Sequence, residues 1–351
     1  MVTPTSCKAY VLVTRRFSST TATQPPGFVE GNIGGVALPA TSFRNAYHLG
    51  DLDGDGDLDI AVTNGSMSFF INDGTGVFSA GQTLAISNTR DGQFGDLDGD
   101  GDLDFLVVTT GANEVLLNDG STTFTSSQSF GSSNSRSIGL SDIDGDGDLD
   151  AFIGNTSQAD KVWTNNGTGT FSDSGQSLDA NSFPYSVTMA DIEGDGDFDA
   201  VIAKYGGGSQ VFLNNGSGTF SNSGLNFAGS AQDAAVGDVN NDGAMDIVIA
   251  NRPGQNPVFL NQVIETEVTL SGNDLLITDI NGGTSNDRLT ISADATDVTI
   301  TDPVNLITTA IAGATGSGTN TVTVPLSAFT GDVKVMSLGG DDEINIDGLN
   351  L

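Results

Sequence analysis

Five segments of this chain concentrate oxygen-bearing side chains at a fixed spacing. They read DLDGDGDLD from Asp51, DLDGDGDLD from Asp96, DIDGDGDLD from Asp142, DIEGDGDFD from Asp191 and DVNNDGAMD from Asp238. At positions 1, 3, 5 and 9 the first three loops offer Asp51, Asp53, Asp55 and Asp59; Asp96, Asp98, Asp100 and Asp104; and Asp142, Asp144, Asp146 and Asp150. The fourth offers Asp191, Glu193, Asp195 and Asp199, and the fifth Asp238, Asn240, Asp242 and Asp246. Position 7, held by Asp57, Asp102, Asp148, Asp197 and Ala244, supplies a backbone carbonyl whatever its side chain. A hard cation such as Ca2+, which takes six to eight oxygens, calls for this alternation, with glycine at position 6 (Gly56, Gly101, Gly147, Gly196, Gly243) to make the sharp turn. An EF-hand also needs a glutamate at position 12, where this chain has Val62, Val107, Ile153, Ile202 and Ile249. These are calcium loops that lead into strands, about five sites in all, and the other reading is five metal-free polar turns.

The charge balance agrees. Asp and Glu number 45 against 11 Lys and Arg, for a formal net charge of -34, and about half of the acidic residues lie in the five loops. Left bare, such loops repel themselves; a divalent ion in each makes the turn foldable. A general surface this acidic excludes nucleic acid as a partner. Extracellular loops of this kind bind calcium at roughly 10⁻⁴ to 10⁻³ M, which suits an external medium.

The loops recur every 45 to 49 residues. Each is followed by an apolar run (IAVTN, FLVVTT, AFIGN, AVIAK, IVIAN) and by a second run ending in asparagine (SFFIN, EVLLN, KVWTN, QVFLN, PVFLN). In the first four units a turn and a phenylalanine come next (DGTGVF, DGSTTF, NGTGTF, NGSGTF). About four short strands per repeat of this length predict an all-β chain built as a β-propeller. Residues 26–262 hold five periods, the last without its outer strand. The stretch GFVEGNIGGVALP, which precedes the first unit, stands where that strand would complete the ring, so five blades are expected, and closure removes an exposed sheet edge.

In its aspartate loops, such as DLDGDGDLDIAV, and its NDGTGVF-type turns, the region 26–262 resembles the FG-GAP/VCBS repeats of integrin-α-like propellers. That resemblance implies a calcium-bound propeller of a secreted or cell-surface protein, often in adhesion or glycan binding, with the calcium hairpins on one face and ligand often on the other. It implies no single reaction.

Strand alternation places the start of each first strand, and the loop between the second and third strands, at the end opposite the calcium loops. Arg44, Arg90, Arg136, Lys161, Lys204 and Arg252, every basic residue of the propeller region, fall at that end, with Asn45, Tyr185, Tyr205 and Gln232, and with Asp91 and Asp233 nearby. Arginine suits bidentate contact with carboxylate or sulfate, and tyrosine can stack on a sugar. An anionic glycan or a protein partner is the expected ligand; the plainer reading is that the bases soften local repulsion. His48 is expected to pack or to line the channel, and Trp163 to pack in the core.

Five-bladed propellers can also be glycosidases or lyases. Asp91 and Asp233 are the carboxylates left over for an acid/base pair, but nothing in the sequence fixes their separation. No Ser/His/Asp set, zinc cluster or phosphate loop is present, so a binding module is expected rather than an enzyme, with a purely structural repeat as a further alternative. Cys7 is the sole cysteine, so no internal disulfide forms. Residues 1–25 read as a disordered leader without a visible signal peptide, and no run approaches the ~18 apolar residues of a membrane span. After Val263 the period breaks, and residues 266–351 alternate as a separate β-rich domain, sandwich or solenoid-like. Its GGTSNDRLT (282–290) and GGDDEINI (339–346) are similar to the calcium nonapeptide of RTX repeats, though plain turns are the expected reading.

Overall fold

A computed structural model describes residues 46–63, 65–180, 182–240, 243–261, 264–279, 288–302, 306–336 and 343–347. Arg44, Asn45, Asp242, the leader, the expected closing strand and most of the two Gly-Gly turns lie outside the described residues.

The described residues are strands and turns, with one short 3-10 turn at Leu326–Ala328 and no α-helix. Repeat one contributes β1 (Ala46–Gly50), β2 (Asp59–Thr63), β3 (Met67–Asn72) and β4 (Phe78–Leu84); repeat two β5 (Thr89–Gly95), β6 (Asp104–Thr109), β7 (Asn113–Asn118) and β8 (Phe124–Phe130). Repeat three gives β9 (Ser135–Ser141), β10 (Asp150–Asn155), β11 (Lys161–Asn165) and β12 (Phe171–Asp173); repeat four β13 (Pro184–Ala190), β14 (Asp199–Lys204), β15 (Ser209–Asn214) and β16 (Phe220–Phe227). Each of these repeats is a four-stranded antiparallel sheet in sequence order. Among the described residues the fifth has three strands, β17 (Ala231–Gly237), β18 (Asp246–Asn251) and β19 (Val258–Phe259), in keeping with its missing GxGxF segment.

The second strands β6, β10 and β14 are buried along their whole length, which explains why they are continuous apolar runs: both of their faces are covered. The two-residue period divides those faces. Phe105 and Val107 pack with Ala61, Met67 and Phe69 of repeat one, whereas Leu106 and Val108 pack with Ile138, Leu140 and Ile153 of repeat three. The core is therefore a series of apolar layers between successive sheets. Trp163 belongs to the second layer, its ring edge-on to Phe130 at 4.7 Å.

The chain divides into two compact units, one comprising residues 1–191, 195–235 and 249–257, the other residues 192–194, 236–248 and 258–351. Within the second unit, β20 (Ile264–Ser271), β21 (Asp274–Asp279), β22 (Arg288–Ala293), β23 (Asp297–Thr301), β24 (Leu306–Thr309), β25 (Thr321–Pro325), β26 (Val333–Met336) and β27 (Glu343–Asp347) form two sheets, ordered β24-β20-β21-β26 and β25-β23-β22-β27. The β20–β24, β21–β26 and β22–β27 pairs are parallel. Alternate residues such as Leu275 and Ile277, Val298 and Ile300, and Val322 and Val324 form their shared core.

Candidate functional site

Each acidic loop joins the first strand of its repeat to the second, and the structure gives its carboxylates distinct tasks. The position-1 aspartate shapes the turn. Asp51 accepts the amides of Gly54 and Gly56 at 2.9 and 3.0 Å, Asp96 those of Gly99 and Gly101 at 2.8 and 3.1 Å, and Asp142 those of Gly145 and Gly147 at 2.9 and 3.1 Å. Asp191 and Asp238 accept the amides of Gly196 and Gly243, both at 3.0 Å. Position 6 needs glycine for its backbone: φ is +94°, +96°, +98°, +96° and +87° at Gly56, Gly101, Gly147, Gly196 and Gly243. Position 5 pins the following amide, with Asp55, Asp100, Asp146 and Asp195 accepting from Asp57, Asp102, Asp148 and Asp197 at 2.9 to 3.0 Å. The side chains of those four position-7 residues lie against Gly74, Gly120, Gly167 and Gly216 of the next turn.

Position 9 is the buried member. Asp59, Asp104, Asp150, Asp199 and Asp246 are all fully buried. Asp104 accepts the amides of Leu97 and Asn118, each at 2.8 Å; Asp59 accepts those of Leu52 and Asn72, and Asp150 those of Ile143 and Asn165. Burial nevertheless pushes Asp104 and Asp150 up to about 6. Asp98 and Asp144 are also raised, first by burial and then by the neighbouring carboxylates.

This donor set fits a hard cation. One carboxylate oxygen from each of Asp51, Asp53 and Asp59 lies within 4.8 Å of the others, and the same holds for Asp96, Asp98 and Asp104 and for Asp142, Asp144 and Asp146. One buried oxygen each on Asp53 and Asp144 has no hydrogen-bond partner, and a buried acceptor of that kind is costly unless a cation or donor meets it. Glu193, Asn240 and Ala244 hold the matching places in loops four and five.

At the other end of the sheets, pairing between first and second strands is interrupted at one recurrent position. The register skips a residue between Thr89 and Asp91, and again between Pro184 and Ser186; opposite Gly154 and Asn155 it passes from Ser137 to Ser135. The extra residues are Arg90, Tyr185 and Arg136. A β-bulge re-aims the side chain it carries, and here it does so for three polar residues six places before their loops. The Arg136 guanidinium carbon lies 3.5 Å from the Tyr185 ring centroid, and the Tyr185 and Tyr205 rings are 5.9 Å apart. Tyr205 is 52% exposed, and its amide donates to the carbonyl of Phe183, itself an exposed aromatic.

Deeper in the same end, Asp91 is pushed up to about 7, first by burial and also by the charge of Asp233. Burial lowers His48 to about 4. His48 Nε2 and Asp91 Oδ1 are 3.9 Å apart, but between about pH 4 and 7 both groups are neutral, so this is not an ion pair. His48 packs edge-on to Phe105 at 5.2 Å. Asp233 accepts the amide of Ala234 at 3.0 Å, and Gln232 is half-buried beside it.

Two lysines differ from the expected free cationic rim. Lys204 is 4% exposed and donates to Asp179 at 2.7 Å, so its charge is neutralised internally. Lys161 pairs with Asp173 at 3.4 Å. Arg252 is exposed. Sequence reasoning missed Phe183 and Asp179. It also recorded the asparagine ending each third strand without giving it a task.

The chain belongs to the FG-GAP-like repeat family, which matches residues 51–107, 96–153, 142–202 and 194–249. No curated protein matches it. Among solved structures it is similar to an Agrocybe aegerita lectin, described for specific recognition of non-reducing terminal N-acetylglucosamine, at 22% identity over 62% of this chain and 66% of the lectin, with a TM-score of 0.44. It is similar also to the Photorhabdus luminescens Tc holotoxin pore, at 19% identity over 63% of this chain and 11% of that one, TM-score 0.36. A third is BBS1N in complex with ARL6DN, at 9% identity over 74% and 79% of the two chains, TM-score 0.44. The chain thus spans less than two thirds of the lectin and about a tenth of the holotoxin chain. At these values the likeness says nothing of what this chain binds. Among the described residues no helix is long and apolar enough to cross a membrane.

Proposed function

We propose that this chain is a calcium-stabilised extracellular binding module that recognises a glycan at the sheet ends opposite its acidic loops. One observation carries the reading: Arg136 and Tyr185, on bulges of first strands, and Tyr205, just past the second strand β14, group together at the end opposite the acidic loops. Tyrosine and arginine are the residue types that dominate binding hot spots. Tyr205 offers a face to a sugar ring, and Arg90 and Arg136 meet an acidic substituent or a hydroxyl. The module carries out binding without turnover. Its five repeats form five blades, and the N-terminal stretch GFVEGNIGG completes the three-stranded fifth sheet; deletion of residues 26–38 then lowers the melting temperature. Calcium sits in the five loops, where its chemistry is to neutralise carboxylates and fix the turns.

The test is binding to a panel of neutral, uronic and sulfated oligosaccharides in millimolar calcium, with Tyr205→Ala and Arg136→Ala beside the parent. Saturable binding that both variants lose supports the reading. Binding that neither variant alters, or no binding to any glycan by folded protein, overturns it.

A second reading has one observation in its favour. Asp91, held protonated up to about pH 7 with Asp233 as its charged neighbour, has the character of a general acid. A polysaccharide-acting enzyme would turn over members of the same panel and lose that turnover on Asp91→Asn.

A further inference from the structure

The residue between the first two ligand positions of acidic loops one to three is held from both sides. Leu52 stands between Asp51 and Asp53. Its amide donates to Asp59 of its own loop at 2.9 Å, and its carbonyl accepts Asn118 Nδ2, from the next repeat, at 2.9 Å. The pattern recurs. Leu97 donates to Asp104 at 2.8 Å and accepts from Asn165 at 2.8 Å; Ile143 donates to Asp150 at 3.1 Å and accepts from Asn214 at 2.7 Å. Ile192 accepts from Asn261 at 2.5 Å.

Each of these asparagines is bound to its own loop as well. The amides of Asn118, Asn165, Asn214 and Asn261 donate to Asp104, Asp150, Asp199 and Asp246 at 2.7 to 2.8 Å. From loop one to loop three the links run without a gap: Asp59, Leu52, Asn118, Asp104, Leu97, Asn165, Asp150. Asn118, Asn165 and Asn214 are 4 to 5% exposed, and Leu52, Leu97 and Ile143 are 1% exposed, so water does not compete for these bonds.

We infer that the asparagine at the end of the third strand of repeats two to five is a positioning residue for the cation loop of the repeat before it. It rests on the reading that the loops bind calcium. The asparagine's side-chain amide meets a backbone carbonyl of that preceding loop. It fixes the backbone that carries Asp51 and Asp53, and so the separation of two carboxylates that would hold the ion. Groups that orient ligands in this way change metal affinity by roughly 10 to 100-fold when removed. The same bond joins one sheet to the next, so loading a loop and docking its neighbour draw on one geometry.

A second link at the same junction serves as the control. Gln82 donates to the Phe124 carbonyl at 2.9 Å and accepts the Phe124 amide at 2.7 Å, joining the same two repeats at their outer strands without touching the Leu52 peptide. The experiment is a calcium titration of the full chain followed by the amide resonances of Gly54 and Gly56 for loop one and of Gly145 and Gly147 for loop three. Asn118→Leu keeps the side-chain shape and removes the donor; Gln82→Met cuts the outer link.

The expected result is a midpoint for loop one raised about tenfold in Asn118→Leu and unchanged in Gln82→Met, with loop three unaffected in both. An unchanged loop-one midpoint in Asn118→Leu overturns the inference while leaving calcium binding intact, as does an equal shift in the two variants. No calcium-dependent shift at any loop of the parent overturns the calcium reading itself. Should Asn118→Leu fail to fold, Asn214→Leu read at Gly145 and Gly147 of loop three puts the same question, with Gln176→Met as its control, because Gln176 accepts the Phe220 amide as Gln82 accepts that of Phe124.

Discussion

The guanidinium carbon of Arg136 lies 3.5 Å from the centroid of the Tyr185 ring, so a cation of one repeat rests on an aromatic of the next. Both residues stand on strand bulges. Such a contact is worth about 0.5–1 kcal/mol at an exposed site, too little to decide whether the sheets fold. Its consequence is order: each side chain holds the other in place beside Tyr205.

Arg136→Ala and Tyr205→Ala are therefore expected to lower glycan affinity about tenfold or more while moving the urea midpoint little. Titration calorimetry with whichever oligosaccharide the parent binds, together with urea unfolding, checks this. A variant that unfolds early and also loses binding would assign the group to stability instead.

The buried position-9 aspartates make a different prediction. Asp104 accepts two buried amides, and Asp104→Ala leaves both without a partner, at about 1–3 kcal/mol each. Unfolding in calcium-free buffer should show that loss. Asp100→Ala, which removes an exposed carboxylate, should leave calcium-free stability within about 0.5 kcal/mol and weaken calcium binding.

Asp160 gives a pH dependence. It is fully buried and accepts the Asn155 amide at 2.7 Å, and burial pushes it up to about 8 from the ordinary 3.8. The folded state therefore binds the proton more tightly than the unfolded one. The contribution of this group to stability is greatest below about pH 4 and falls as the pH rises to about 8. Repeat two has Asn113 at the equivalent place, accepting the Thr109 amide at 3.1 Å. Asp160→Asn should raise the melting temperature more at pH 9 than at pH 5; an equal change at both would contradict the assignment.

Gly92 lies beside Asp91, where a side chain would collide with the Phe105 ring and approach the Leu106 carbonyl to 2.9 Å. Overpacking of this kind costs about 1–3 kcal/mol, and neither contact can yield without moving β6. Gly92→Ala should show that loss in urea unfolding, whereas Gly111→Ala, whose nearest neighbour is the Thr109 hydroxyl at 3.7 Å, should not.

Much of this was legible in the sequence because it is local. A loop that alternates Asp and Gly and then enters an apolar run sets its own turn and strand, and five copies set the period. The absence of a GxGxF segment after Asn261 showed that the last repeat lacks an outer strand of its own. What escaped depends on distant partners. That Lys204 is neutralised by Asp179 follows from a fold that brings together residues 25 apart. The bulges at Arg90, Arg136 and Tyr185 exist only as a mismatch between two strands, with no glycine to mark them. The asparagines at the ends of the third strands were visible five times over, yet the acceptors of four of them lie 66 to 71 residues earlier.

The central claim is that calcium holds this scaffold together, and calorimetric melting of the full chain in chelator and in rising calcium tests it most directly. Each occupied loop adds roughly 1.4 kcal/mol when free calcium is ten times its dissociation constant. The account predicts a melting temperature that climbs with calcium through the millimolar range. The same melting temperature in chelator and in millimolar calcium would contradict it, and would leave the five acidic loops as turns held by their own amides.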